Sequence, residues 1–141
     1  MDILTIRLKD RETDAEKTYS TGRFPAYLAR EIMRIRTQEL EIAKTHEQLL
    51  EAQKKLDEIR DAGGKGSEVQ IDTAIAQSIR SISEAILAVE TDVYERLLWI
   101  ICETYGKQFT PDDVDHNLSR KEIGEQIRKI DAATNGVFEK N

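Results

Sequence analysis

A single cysteine, Cys102, rules out an internal disulfide and a cysteine-built zinc cluster, and it points to a reducing compartment. Long apolar runs are lacking too, since nothing approaches the roughly 18 to 20 residues of a membrane span. Asp2 and the alternating residues behind it supply neither the basic nor the apolar region of a secretory signal. The predicted location is a cytoplasm, with no membrane involved. An excess of positive charge is also absent. Lys plus Arg number 21 against 27 Asp plus Glu, a net charge of −6, which opposes sequence-independent binding to nucleic-acid phosphates.

What is present is a chain of 141 residues, 39% hydrophobic and 34% charged. That is too apolar for disorder and too charged to be all core, and it fits one domain, 1–141, built on long two-sided helices. Seven acids stand against Arg80 and Arg96 between Glu68 and Glu103. The acidity is therefore local and reads as a solvated face, with a basic partner as the alternative.

The spacing predicts a mainly α (α+β) fold. Leu4, Ile6 and Leu8 alternate as one face of a strand, and Glu16-Lys17-Thr18-Tyr19 can pair with it in an N-terminal hairpin. Pro25 stands near a first helical turn. From there to about Ala62 neither Gly nor Pro intervenes, and Leu28, Ile35, Ile42, Leu49 and Leu56 recur every seven residues as the stripe of a long helix. Glu31, Gln38 and Thr45 fall where a full coiled-coil seam would be apolar. Gly63-Gly64-Lys65-Gly66-Ser67 breaks the chain. A second long helix follows, with Ile75, Ile79, Ile82, Ile86, Val89, Val93 and Ile100 in alternating spacing and Leu87, Tyr94, Leu97, Leu98, Trp99 and Ile101 as a second apolar face.

Two such antiparallel helices form a hairpin longer than a compact domain of this size, so the segment at about 40–75 is predicted to protrude. Trp99 is the expected anchor of the core, covered by Ile123, Ile127 and Ile130. Ile42, Leu49, Leu56, Ile75, Ile79 and Ile82 are the expected self-association residues, because the first stripe is narrower than the face it must cover. Gly106 marks a helix end. Thr110-Pro111-Asp112-Asp113 and Ser119-Arg120-Lys121-Glu122 each open a short helix, with Asn135-Gly136 closing the last.

Signals for chemistry are weak. Asp113-Val114-Asp115-His116-Asn117 opens like a calcium loop, but Leu118 replaces the required glycine and Gly124 the bidentate glutamate. Asp112 and His116 stand four apart with no third metal ligand placed. The Gly63–Ser67 run follows a helix rather than a strand and lacks phosphate-loop spacing. His46 has no nucleophile at a recognisable spacing, and no carboxylate pair stands in an apolar setting. Cys102, within an apolar run and without a base, reads as a buried structural thiol. The chain is thus read as a non-enzyme without cofactor or metal.

Leu97 to Ile130 resembles the tail assembly chaperone family of long-tailed, siphovirus-type bacteriophages and prophages of Gram-positive hosts. The likeness rests on the apolar helix end Leu97-Leu98-Trp99-Ile100-Ile101, on Tyr105 and Gly106, on Gln108-Phe109-Thr110, and on the acidic helix start Asp112, Asp113 and Val114. The strand pair, Phe24-Pro25 and the helix through Leu28, Ile32 and Ile35 match more loosely, and about 40 to 74 lies outside the pattern. The resemblance implies a chaperone that coats the tape measure protein, recruits tail tube subunits in the host cell cytoplasm, and is absent from the mature virion. It also implies a longer form made by ribosomal frameshifting, and Glu139-Lys140-Asn141 can be encoded by a shift-prone heptamer that the nucleotide sequence would test. The alternative is a generic coiled-coil adaptor.

Overall fold

The computed structural model describes residues 3–61 and 67–135, of which 67–72 are described by their backbone alone. Strands β1 (Leu4–Lys9) and β2 (Glu16–Thr21) precede two long helices, α1 (Ala26–Asp61) and α2 (Ser67–Thr104), and two short ones, α3 (Pro111–Asn117) and α4 (Arg120–Thr134). The mainly helical fold with an N-terminal hairpin is as the sequence predicts. The glycine run at 63–66 and the terminal Glu139-Lys140-Asn141 lie outside the described residues.

β1 and β2 pair antiparallel, with Ile6 opposite Tyr19 and Leu8 opposite Lys17. Leu4, Ile6 and Leu8 are buried while the residues between them are exposed, the alternation that a one-sided strand requires. The connecting loop is held by Asp10, whose Oδ1 accepts from the Glu12 N–H at 2.8 Å, while Asp14 takes a φ of 58°. Short polar side chains that bond their own backbone make this turn inexpensive.

The chain packs as two compact units. The first comprises Met1–Arg36 and Tyr94–Asn141, and the second Thr37–Val93, which contains the 40–75 segment set apart by the sequence. In the first unit Leu28, Ile32, Ile100, Ile101, Val114, Ile123 and Ile130 are almost fully buried with Tyr105. In the second, the antiparallel stretches of α1 and α2 bury Leu56, Ile86 and Val93.

Each unit also holds a polar pair at positions where an apolar seam is interrupted. Glu31 accepts from Arg96 at 3.4 Å in the first unit, and the Gln38 amide donates to Asp92 at 3.2 Å in the second. The seam polar residues thus meet partners across the helix pair. Such pairs add less to stability than apolar contacts but penalise a shifted register, in which they would lose their partners.

Trp99 corrects the sequence reading. It is 41% exposed, and the anchor of the core is Tyr105, which is 1% exposed. Each residue advances roughly 100° around a helix, so the apolar run from Leu97 to Cys102 encircles α2 and cannot all face inward. Trp99 falls opposite the arc of Leu98, Ile101 and Tyr105. Leu87, expected on an apolar face, is 65% exposed, off the stripe of Ile86 and Val93. Of the expected covers, Ile123 and Ile130 are buried and Ile127 is half-buried.

Candidate functional site

The Tyr105–Val114 segment turns the end of α2 back onto the hairpin. Gly106, with a φ of 71°, lets the chain leave the helix in a left-handed step. The Gly106 N–H donates to the Glu103 carbonyl at 3.1 Å and the Lys107 N–H to the Cys102 carbonyl at 2.8 Å. This paired closure satisfies carbonyls that would otherwise end the helix unbonded. Gln108 adds a bond from its Nε2 to the Tyr105 carbonyl at 2.8 Å.

Phe109 is then placed edge-on to Tyr19 of β2, with ring centroids 4.9 Å apart, and 5.7 Å from the Tyr105 ring. Tyr105 donates to Gln126 at 2.9 Å, and burial pushes its phenol up to about 12. Thr110 caps α3. Its hydroxyl accepts from the Asp113 N–H, and the Asp113 carboxylate accepts from the Thr110 N–H at 2.9 Å. That backbone bond, together with the Thr110 hydroxyl and the Arg11 and His116 charges, holds Asp113 below its ordinary range against the opposing effect of burial. Ser119 and Glu122 repeat the device on α4.

The motif therefore brings Tyr105, Gly106, Gln108, Phe109, Thr110, Asp113 and Val114 together as the joint between α2, α3 and the hairpin, with Asp112 exposed in the first turn of α3. Two further residues complete the joint. The Asn117 Oδ1 accepts from the Lys9 N–H at 2.7 Å while its Nδ2 donates to the Lys9 carbonyl at 3.2 Å. The Gln126 Nε2 donates to the Thr5 carbonyl at 3.0 Å. These amides occupy main-chain groups along the outer edge of β1. No local spacing in the sequence signals them, because their partners lie more than a hundred residues away in the chain.

A groove of about 430 Å³ beside the joint is lined by Leu8, Arg11, Lys17, Tyr19, Phe109 and Asp113 among others. Elsewhere in the first unit Trp99 packs at 6.4 Å against Tyr27 of α1, whose hydroxyl donates to Glu103 at 2.9 Å. Glu103 also pairs with Lys107 at 3.3 Å. The result is a half-exposed indole framed by a tyrosine and a charged pair.

In the second unit Leu56 is buried and Ile42, Leu49, Ile75, Ile79 and Ile82 are half-buried. Leu40 and Leu50, at 66% and 65% exposed, lie outside that stripe. His46 approaches Glu90 at 3.5 Å.

Cys102 is buried, and its thiol is pushed up to about 11, chiefly by desolvation and secondarily by Asp113 and Glu103. His116 Nδ1 lies 2.8 Å from the Asp112 carbonyl. Among the described residues no group of three His, Cys, Asp or Glu could hold a metal ion, and no helix is long and apolar enough to cross a membrane.

No family model, no curated protein and no solved structure matches the chain.

Proposed function

We propose that the chain is a protein-binding module of phage tail assembly, a chaperone that holds the tape measure protein and recruits tail tube subunits. The observation that carries the binding reading is Trp99. A large aromatic left half-exposed on a rigid helix, framed by Tyr27 and the Glu103–Lys107 pair, has the composition of an interface anchor: apolar area at low entropic cost inside a polar rim. The phage assignment rests on the resemblance of Tyr105 to Val114, whose residues cooperate as one joint.

A tape measure protein is a long helix with apolar stripes, and helical surfaces can cover such stripes through many weak contacts that avidity makes strong together. The reading predicts a tape measure gene beside this one and is tested by co-expression with its product. The expected outcome is a soluble complex that binds tail tube protein. A tape measure protein that stays insoluble and separate from this chain contradicts it.

A further inference from the structure

We propose that the free edge of β2 joins two copies of this chain, antiparallel about a two-fold axis at Thr18, into a four-stranded sheet. The hydrogen bonds of β1 identify that edge. In an antiparallel ladder, residues alternate between pairs that bond to each other and pairs whose main-chain groups point away. The Lys9 N–H and carbonyl are bonded to Asn117 and the Thr5 carbonyl to Gln126, so Thr5, Arg7 and Lys9 are the outward set on β1. Their partners across the ladder are Ser20, Thr18 and Glu16. On β2 these three residues turn their N–H and carbonyl groups away from β1. All three are exposed, and no described residue bonds to those groups. The outer edge of β1 is thus occupied by side-chain amides while that of β2 is open among the described residues.

The open edge fits its own copy. Pairing about Thr18 sets Thr18 against Thr18 and Glu16 against Ser20, so every outward residue meets another outward residue and each pair exchanges both main-chain bonds. The side chains agree with that register. Lys17 comes opposite the partner copy's Tyr19, extending a contact already made within the chain, where the Lys17 ammonium lies 5.1 Å from the Tyr19 ring. No like charges face each other, whereas a centre at Lys17 would set lysine against lysine and leave Ser20 unpaired. A two-stranded sheet is marginal in water, and four strands relieve both that weakness and the open edge. The pairing does not depend on which other protein the chain binds, and it is distinct from self-association through α1 and α2.

Charge-swapped variants of the full chain test it by sedimentation velocity. The wild type is expected to sediment as a pair or a multiple of pairs at high micromolar concentration. Thr18→Asp and Thr18→Lys each place like charges across the axis, and each is expected to halve that mass. Mixed in equal amounts they are expected to restore it, which unfolded chains would not do. The Thr18 side chain is on the exposed face, so the circular dichroism of each variant is expected to match the wild type, while the melting temperature falls only by the stabilisation that pairing adds. Thr18→Pro, which deletes an outward N–H that the hairpin does not use, is expected to halve the mass as well.

A wild type of single-chain mass overturns the proposal and leaves the edge to an extended segment of another protein. A mass unchanged by Thr18→Asp overturns it too. So does a mass that only Leu49→Asp with Ile79→Asp reduces, which would place self-association on the helices.

Discussion

Trp99 and Ile100 are neighbours in the chain and opposites in the fold, one 41% exposed and the other fully buried. Ile100→Ala is expected to cost about 2 to 5 kcal/mol in urea unfolding, from lost transfer energy and the cavity left behind. Trp99→Ala is expected to cost less, about 1 to 2 kcal/mol, since the indole is 41% exposed and loses mainly its contact with Tyr27. Equal losses would contradict the assignment of Trp99 to the surface. The sequence identified the apolar end of α2 but not which of its residues point inward, because consecutive apolar residues erase the periodicity that distinguishes the faces. Cys102 was legible for the opposite reason, a small thiol among aliphatics with no base beside it. With its thiol held up to about 11 by burial, it is expected to resist a disulfide reagent at pH 8 until the chain unfolds. Immediate reaction of the folded protein would place it at the surface.

At the scale of elements, the starts of α3 and α4 could be read directly, since a cap, a proline and a carboxylate three residues on are local chemistry. Thr110→Ala is expected to cost about 0.5 to 2 kcal/mol. Asp113 and Glu122 both sit below their ordinary values, held there first by the backbone N–H of their caps. A depressed carboxylate contributes stability that is complete above its ordinary range and is lost as pH falls through its folded value. The melting temperature is therefore expected to decline as pH drops below the carboxylate range, and to decline less in Asp113→Asn combined with Glu122→Gln. An equal slope in both proteins would remove the caps from the account.

The clamp on β1 was not legible, because Asn117 and Gln126 act on residues brought near only by the completed fold. Asn117→Ala leaves two Lys9 main-chain groups without their partner. Both bonds are exposed, so water can replace the amide; the substitution is expected to cost about 0.5 to 1.5 kcal/mol, and hydrogen exchange at Lys9 should accelerate.

The whole molecule joins two kinds of information. The heptad stripe of α1 and the four-three spacing of α2 made the long helix pair legible, and the interruptions at Glu31 and Gln38 prove to be partners of Arg96 and Asp92. The proposed function rests on a resemblance, since a binding surface needs exposed residues and exposure is what apolar patterning alone cannot report. Trp99 is the sole tryptophan of the chain, so its fluorescence reports directly on the surface proposed to bind. In a titration of the full chain with a tryptophan-free helical segment of the tape measure protein, the account predicts a blue shift that saturates, and no saturable binding by Trp99→Ala in parallel calorimetry. An emission spectrum unchanged by a segment that binds with wild-type affinity to Trp99→Ala would contradict it.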